Sequence, residues 1–369
     1  MKNKILVLIA VLFLIVSMVG CKKQQAAPVP TPSPTATSVP KIEKILYINN
    51  GDLYSMKPDG TGSEILFPDG TSKWFPCISP DGLAVAYWAQ EKGSYNLWVG
   101  NFITAKATQI TFDNDTVEGD IQNFTIRNAP VWLPDGQSLI YSRNKDIWKI
   151  SKDGFNQEVL TVSHNCICPA ISKYNKIVYS KILNSTTANL YIKDLTSLDD
   201  NPITNFNGKK AVAPSFSPDG KRIVFTLLDG DTINILSVDA DGKNVVSLTV
   251  EGTSHSPIYS HDGSKVIFSS YRLNKNRSEI YSMDLNNSLT PIKLTTGGGV
   301  APAWLYRPLE NIVPLNTIKI KPVSKNISAD KGVAQKTTPS PLTATATTNS
   351  KNLEEINKLK KNGSLKIVK

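Results

Sequence analysis

The side chains best suited to chemistry in this sequence are two histidines and two closely spaced cysteines: His164, Cys166, Cys168 and His255. Imidazole nitrogen and thiolate sulfur are the ligands that Zn²⁺ prefers in proteins. A zinc site is disfavoured because only one residue separates the cysteines and because the histidines lie in segments far apart. A tight disulfide, buried free thiols and an ordinary loop histidine are open alternatives. We predict that the protein binds no metal and needs no cofactor.

A second set of residues predicts a cationic, partly aromatic surface. Its members lie in the segments before a recurring proline and in loops between apolar runs. Such a surface suits an anionic or sugar-like ligand, because guanidinium groups bind carboxylates and phosphates in a fixed geometry. The alternative is that these are ordinary surface residues and that Trp74 and Phe75 pack between neighbouring repeats. The predicted ligand-binding residues are Trp74, Arg127, His164, Lys210, His255, Tyr271 and Arg272.

The sequence lacks the signatures of common enzymes. It contains no Gly-x-Ser-x-Gly nucleophile motif, and the segments before the prolines lack the paired carboxylates of a glycosidase. The acidic segment Thr111–Ala129 offers oxygen ligands for Ca²⁺, but without the spacing of an EF-hand, so a solvated loop is favoured. We predict no catalytic residues. The rival hypothesis is a polysaccharide lyase or hydrolase that uses the same surface.

A repeated unit positions these residues. The phrase Pro-x-[aromatic]-Ser-Pro-Asp-Gly followed by an apolar run is clearest in "PSFSPDGKRIVF". Proline presets the first turn position, aspartate suits the second, and glycine accepts the positive φ that follows. Further apolar segments follow each copy, the last often ending in Leu-Thr or Ile-Thr, so each unit predicts four short strands. The copies start at Pro76, Pro130, Pro169, Pro214 and Pro257, and a truncated copy starts at Pro302.

The two ends of the repeated region complete each other. Lys44–Leu66 supplies the second, third and fourth strands of a unit, and the segment "PAWL" at Pro302 supplies only a first strand. Joining them leaves no free sheet edge at the seam. Units of about 40–45 residues with four antiparallel strands are typical of propeller blades. The sequence therefore predicts an all-β fold: a six-bladed β-propeller of four-stranded antiparallel blades, closed by N-terminal strands plus a C-terminal strand.

The repeated phrase resembles the TolB-type propeller repeat, which is related to the WD-repeat group. The resemblance covers about three quarters of the chain. Two copies depart from it: the third has Ser172–Asn175 in place of the turn, and the fifth has His261 in place of proline. TolB carries an additional α/β domain before its propeller, whereas here an anchor and a linker precede the repeats. The resemblance therefore implies a fold and not TolB's own role or partners.

The ends of the chain predict a membrane-anchored protein. A basic start precedes the apolar run Ile5–Val19, which is too short to span a bilayer but suits a signal peptide. The following Met18-Val19-Gly20-Cys21 resembles a bacterial lipobox, which implies lipidation of Cys21; an ordinary signal with a chance cysteine is the alternative. The predicted boundaries are 1–20 for the signal peptide, 21–42 for the lipidated cysteine and Pro/Thr-rich linker, 43–310 for the propeller, and 311–369 for a basic, low-complexity, disordered tail.

The charge distribution argues against nucleic-acid binding. The whole chain carries a net charge of +10, yet residues 41–313 hold 26 basic and 28 acidic residues. The tail from Pro314 accounts for most of the excess, with eleven lysines and three acidic residues. A near-neutral body offers no basic surface for a phosphate backbone. We predict an extracytoplasmic monomer, lipid-anchored to the bacterial cell membrane, that binds or scaffolds an envelope protein, peptide or glycan.

Overall fold

The computed structural model describes residues 41–91, 94–112, 128–197, 200–274 and 276–308. Within these ranges every named element is a β-strand. The same ranges contain no helix long and apolar enough to cross a membrane. The predictions for the signal peptide, for the linker up to Pro40, for the tail and for Arg127 lie outside the described residues.

The strands form antiparallel units of four. Units 4 and 5 share one eight-stranded sheet through a parallel pair, Ala188 with Lys210. Unit 1 consists of β1 (Lys41–Asn49), β2 (Asp52–Met56), β3 (Glu64–Leu66) and β24 (Val300–Pro308), and unit 2 of β4 (Ser72–Ile78), β5 (Ala84–Glu91), β6 (Ser94–Asn101) and β7 (Lys106–Gln109). Unit 3 consists of β8 (Val131–Trp132), β9 (Ser138–Arg143), β10 (Asp146–Ser151) and β11 (Glu158–Val159), and unit 4 of β12 (Cys166–Ile171), β13 (Lys176–Ile182), β14 (Ala188–Asp194) and β15 (Asn201–Pro202). Unit 5 consists of β16 (Lys210–Phe216), β17 (Arg222–Asp229), β18 (Thr232–Asp239) and β19 (Val246–Ser247), and unit 6 of β20 (Ser254–Tyr259), β21 (Lys265–Ser270), β22 (Glu279–Asp284) and β23 (Ser288–Lys293).

The first and last strands of the described body pair with each other. β24 lies antiparallel to β1, with Ala303 opposite Leu46 and Pro308 opposite Lys41. The pairing expected between these two segments is therefore present. The all-β fold built from four-stranded antiparallel sheets is confirmed, while the closure of the units into one six-bladed ring stays a prediction.

The Ser-Pro-Asp-Gly phrase forms the turn that its residue types predict. In unit 5 the Ser217 hydroxyl donates to Asp219 Oδ1 at 2.6 Å, and Gly220 adopts a φ of 74°. In the third copy, which lacks the phrase, Asn175 takes the glycine position with a φ of 60° and donates its N–H to the Ser172 carbonyl at 3.1 Å. Asparagine tolerates this left-handed conformation better than most residues, so the turn survives without glycine.

The apolar core lies between neighbouring units. One cluster joins Leu46 and Leu305 of unit 1 to Val85 and Tyr87 of unit 2, and all four side chains are buried. Another joins Phe225 of unit 5 to residues of unit 4. Each sheet therefore buries both faces against its neighbours, which explains why the strands are nearly continuous apolar runs.

A bulge precedes five of the repeated prolines and links one unit to the next. The residue before each of these prolines has a φ near +50°, and the ladder shifts register there. In three units its N–H donates at 3.0 Å to a hydroxyl on the second strand of the preceding unit, so a buried donor is satisfied across the boundary. These bonds were not predicted from the sequence. The donor–acceptor pairs are Cys168 with Ser142, Ser256 with Thr226, and Ala301 with Ser269.

Candidate functional site: the loop face

Two kinds of connection gather at one end of the units: those between second and third strands, and those between consecutive units. Parallel bridges join Ala188 to Lys210 and Ile233 to Thr253, so the start of a third strand lies beside the start of the next unit's first strand. We call this end the loop face. The opposite end, which holds the Ser-Pro-Asp-Gly turns, is the turn face. The predicted ligand-binding residues that the structure describes lie toward the loop face.

A threonine clamp recurs at the loop face. In unit 4, Thr204 Oγ1 accepts from the Leu190 N–H and donates to Asn189 Oδ1, both at 2.9 Å. The same Oδ1 accepts from the Phe206 N–H at 2.7 Å. The connection that leaves the unit is thereby fixed to the third strand, and its buried polar groups are paired. The equivalent pairs are Thr111 with Asn96, Thr161 with Asp146, Thr249 with Asn234, and Thr295 with Glu279.

Two of the clamps carry a carboxylate where the others carry an amide, and each carboxylate faces a basic side chain of the same loop face. Asp146 Oδ2 lies 2.6 Å from His164 Nδ1, and Glu279 Oε1 lies 3.3 Å from Arg277 Nη2. Both carboxylates are buried, whereas the His164 side chain is 76% exposed. His164 is therefore an accessible imidazole, fixed by a carboxylate that comes from another segment of the chain.

Replacing the clamp carboxylate by its amide tests which of its contacts matter. We expect Asp146→Asn to cost about 0–1 kcal/mol, because only the pair with a largely exposed histidine is lost. Asp146→Ala should cost about 1–3 kcal/mol, because the Thr161 hydroxyl and the His164 N–H lose their acceptor. Urea unfolding of both variants measures the difference. Equal destabilisation by the two changes would contradict the clamp interpretation.

Two predicted ligand-binding residues are buried in the fold, which corrects their assignment to the binding surface. Trp74 packs edge-on against Tyr95, with ring centroids 5.2 Å apart, and shares a buried cluster with Trp132 of unit 3, as the packing alternative expected. His255 has no exposed surface and stacks on Tyr271 at 5.4 Å. Its Nδ1 lies 3.1 Å from the Ser256 hydroxyl, and burial lowers its pKa to about 4. His255 is thus a neutral core residue at ordinary pH.

The cationic surface expected from the sequence is largely neutralised. Arg272 Nη2 lies 2.7 Å from Glu251 Oε1, and Lys209 Nζ lies 2.7 Å from Asp229 Oδ2. Lys73 is fully buried and pairs with Asp69 at 2.6 Å. These acids could not be assigned to the same surface from the sequence because they lie in other segments, at the ends of second strands and in the connections between units. A strongly anionic ligand therefore fits this surface less well than the sequence predicted.

The remaining predicted residues are placed as follows. Lys210 is half-buried in β16, opposite Leu228, and Tyr271 is half-buried beside His255, where burial raises its pKa. Among the described residues, no three His, Cys, Asp or Glu side chains come together as a metal-binding group. Cys166 and Cys168 are buried and form no disulfide, so the disulfide alternative is wrong. Burial raises the pKa of the Cys166 thiol, which keeps it protonated and unreactive.

Five exposed apolar side chains lie on the loop face. Three of them directly follow a clamp threonine, and two lie in the connections between second and third strands. Val250 precedes Glu251 and Leu273 follows Arg272, so each is the sequence neighbour of one member of the Glu251–Arg272 ion pair. The signal that could have found the first three was an apolar residue after Leu-Thr or Ile-Thr. The five side chains are Phe112, Val162, Leu183, Val250 and Leu273, with exposures of 75%, 62%, 49%, 81% and 68%.

Residues 144–308 match the family model of the TolB beta propeller domain. The matched region is a TolB-like propeller domain. TolB from Acinetobacter baumannii superposes with a TM-score of 0.60 at 18% identity over 73% of this chain and 68% of that one. A putative TolB from Agrobacterium tumefaciens superposes at 0.56 and 18% identity, over 73% of this chain and 98% of that one. A chain of a nidogen/laminin complex superposes at 0.57 with 9% identity, over 72% and 98%. Identities this low establish the fold alone.

The family match begins at the connection before β10, so it leaves out β1–β9. Those strands nevertheless carry the same recurring features of the TolB-like propeller. Phe75 occupies the bulge position with a φ of 50°, and Thr111 forms a clamp with Asn96 at 3.1 Å. The bulge and the threonine clamp of the matched region therefore also occur in the unmatched part of the fold.

Proposed function

We propose that this protein is an extracytoplasmic, membrane-anchored lipoprotein whose TolB-like propeller binds an envelope protein through its loop face. The observation that carries the proposal is the loop face itself, which has five exposed apolar side chains and whose basic groups Arg272, Lys209 and His164 already have acidic partners. Apolar surface gains most from contact with another protein, because its burial removes it from water.

A closed ring of six units would make the loop face rigid, and we propose this closure as part of the function. Its support comes from contacts of β24, which pairs with β1 and also touches both β4 of unit 2 and β20 of unit 6. The bulge bonds add hydrogen bonds across three unit boundaries. A rigid face loses little conformational freedom on binding, which favours affinity.

A protein partner fits this surface better than a glycan or other polyanion. An acidic glycan would need free cations, and on this face Arg272, Lys209 and His164 each have a carboxylate partner. A protein with a complementary apolar patch needs no such charges. Burial of two side chains the size of Val250 and Leu273 contributes about 3–5 kcal/mol to binding.

Polar substitution of the apolar pair tests the binding face. We expect Val250→Asn/Leu273→Asn to reduce partner recovery from detergent-solubilised envelope at least tenfold, since the apolar contribution is lost. Phe155→Asn is the matched control, because Phe155 is 68% exposed but follows the Asp153 turn on the turn face. Recovery is measured by quantitative mass spectrometry after crosslinking. Equal recovery of the partner by the double variant and the wild type would reject the loop face as the binding surface.

Two further measurements separate the other parts of the proposal. Lipidation predicts that Cys21 is the mature N-terminus and carries acyl chains, and that Cys21→Ser leaves the protein unanchored; mass spectrometry of the N-terminal peptide reads this directly. The rival lyase or hydrolase hypothesis predicts shortened products when the purified chain is incubated with envelope polysaccharides. Product formation that survives the Val250→Asn/Leu273→Asn change would favour the enzyme.

A further inference from the structure

The contact between Asp146 and His164 fixes which ring nitrogen of the histidine carries a proton. Asp146 Oδ2 lies 2.6 Å from His164 Nδ1. An ionised carboxylate can only accept hydrogen bonds, so Nδ1 is the donor in this contact. In the neutral imidazole the other nitrogen, Nε2, then carries a lone pair and no proton. Because the His164 side chain is 76% exposed and Nε2 points away from the carboxylate, the loop face offers a hydrogen-bond acceptor here.

Further contacts of the same carboxylate hold the imidazole in this orientation. Asp146 Oδ1 accepts from the His164 N–H at 3.1 Å and from the Thr161 hydroxyl at 2.9 Å. His164 has a left-handed backbone with a φ of 53°, which is uncommon for a residue with a side chain. An exposed side chain that is held by a buried group on an unfavourable backbone is typical of a functional position.

The surroundings of Nε2 suit a donor attached to an apolar group. A carboxylate of the partner would present a second acceptor to Nε2 and would be repelled by the negative charge of Asp146. Val162, two residues before His164, is 62% exposed and supplies apolar surface next to the acceptor. Tyrosine and tryptophan side chains combine a large apolar ring with an O–H or N–H donor, and both are enriched at protein interfaces.

We propose that Asp146 and His164 make the loop face selective for a tyrosine or tryptophan side chain of the partner, which donates its O–H or N–H to His164 Nε2. The inference rests on the proposed protein-binding function of the loop face and adds the chemistry of one partner residue. His164 is the contact residue. Asp146 is a positioning residue that acts through His164, because its carboxylate keeps Nε2 free of a proton.

Asp146→Asn should reverse the hydrogen-bonding role of Nε2 while keeping the fold. The amide oxygen of the asparagine replaces Oδ1, because that position accepts from the Thr161 hydroxyl and the His164 N–H. The amide NH2 then replaces Oδ2 and donates to His164 Nδ1. The neutral imidazole must therefore carry its proton on Nε2, which becomes a donor and no longer accepts from the partner.

Nitrogen-15 NMR reads the protonation of the two ring nitrogens without a partner. The full chain is labelled on histidine and measured in detergent at about pH 8.5, where histidine side chains are ordinarily neutral. We expect a proton on Nδ1 alone in the wild type and on Nε2 alone in Asp146→Asn. His164→Gln assigns the signals, because the chain has three histidines. A wild-type His164 with a proton on Nε2 would overturn the inference.

Partner recovery from detergent-solubilised envelope tests the binding role. His164→Phe keeps an aromatic ring without the acceptor, and we expect this change and Asp146→Asn each to lower recovery at least about threefold. Because both changes remove the same contact, the double variant should lose no more than either single variant. His261→Phe is the matched control, since His261 stacks on Tyr306 at the turn face, and it should recover the partner as the wild type does.

The variants distinguish failure of this inference from failure of the loop-face proposal. If Val250→Asn/Leu273→Asn loses the partner while His164→Phe and Asp146→Asn retain it, only the selectivity proposed for His164 is overturned. If all of these variants retain the partner, the loop face is overturned as the binding surface as well. Additive losses from His164→Phe and Asp146→Asn would show that Asp146 does not act through His164, which also contradicts the inference.

Discussion

Tyr87→Ala should destabilise the protein by about 3–5 kcal/mol, whereas Tyr87→Phe should leave its stability equal or higher. Tyr87 has no exposed surface and packs between units 1 and 2 beside Leu46 and Leu305. Its hydroxyl is buried and has no hydrogen-bond partner among the described residues. Alanine leaves a cavity at the unit boundary, while phenylalanine only removes an unsatisfied polar group.

Tyr179 supplies the matched comparison. It is the equivalent tyrosine of unit 4, but its hydroxyl donates to Asp200 Oδ2 at 2.5 Å. Tyr179→Phe should therefore cost about 1.5–3 kcal/mol, since a hydrogen bond to a charged group is lost. Guanidinium unfolding of the three variants measures these effects. If Tyr87→Phe destabilised the protein as much as Tyr179→Phe, the conclusion that the Tyr87 hydroxyl is unsatisfied would be contradicted.

Acidification should destabilise the protein through His255. The pKa of His255 is lowered from 6.5 to about 4 by burial, so between these values the unfolded chain takes up a proton that the folded protein does not. The stability contribution of the neutral imidazole is complete above pH 6.5 and is lost as the pH falls toward 4. A shift of this size corresponds to about 3 kcal/mol.

The contribution of His255 is isolated by comparison with His255→Gln. Other groups titrate on folding as well: the pKa of His261 is lowered, and that of Asp262 is lowered to about 2. Because these groups are present in both proteins, the difference in unfolding free energy between wild type and variant should change only between pH 6.5 and 4. A difference that is constant across this range would show that His255 titrates normally in the fold.

The repeat made the fold predictable from the sequence. Apolar runs bounded by Ser-Pro-Asp-Gly identify the strands because a turn of fixed chemistry separates segments of suitable length. The pairing of Leu46 with Ala303 followed from counting strands in an incomplete first copy and a truncated last one. Even Asn175, in the copy that lost its glycine, lies where the left-handed turn position requires it.

The candidate site was less predictable because its electrostatics depend on residues from different segments. The sequence offers no acidic partner near His164, whereas in the structure Asp146, from the third strand of unit 3, lies 2.6 Å from the His164 ring. The clamps do correspond to a regular spacing in the sequence, which was not among the predicted features. In four units the polar residue lies fifteen residues before its threonine, and for Glu279 and Thr295 the separation is sixteen. A fixed separation of this kind indicates a paired contact rather than a free surface group.

The side-by-side position of Lys41 and Pro308 also bears on how the chain can be rewired. Two termini this close can be fused by a few glycines, and the chain can then be reopened at another exposed turn, such as Asn286–Asn287 between β22 and β23. Such a circular permutant would keep every strand pairing while moving the cut, since exposed turns tolerate new termini. The order in which strands are synthesised would change, but the set of neighbours each strand meets would not.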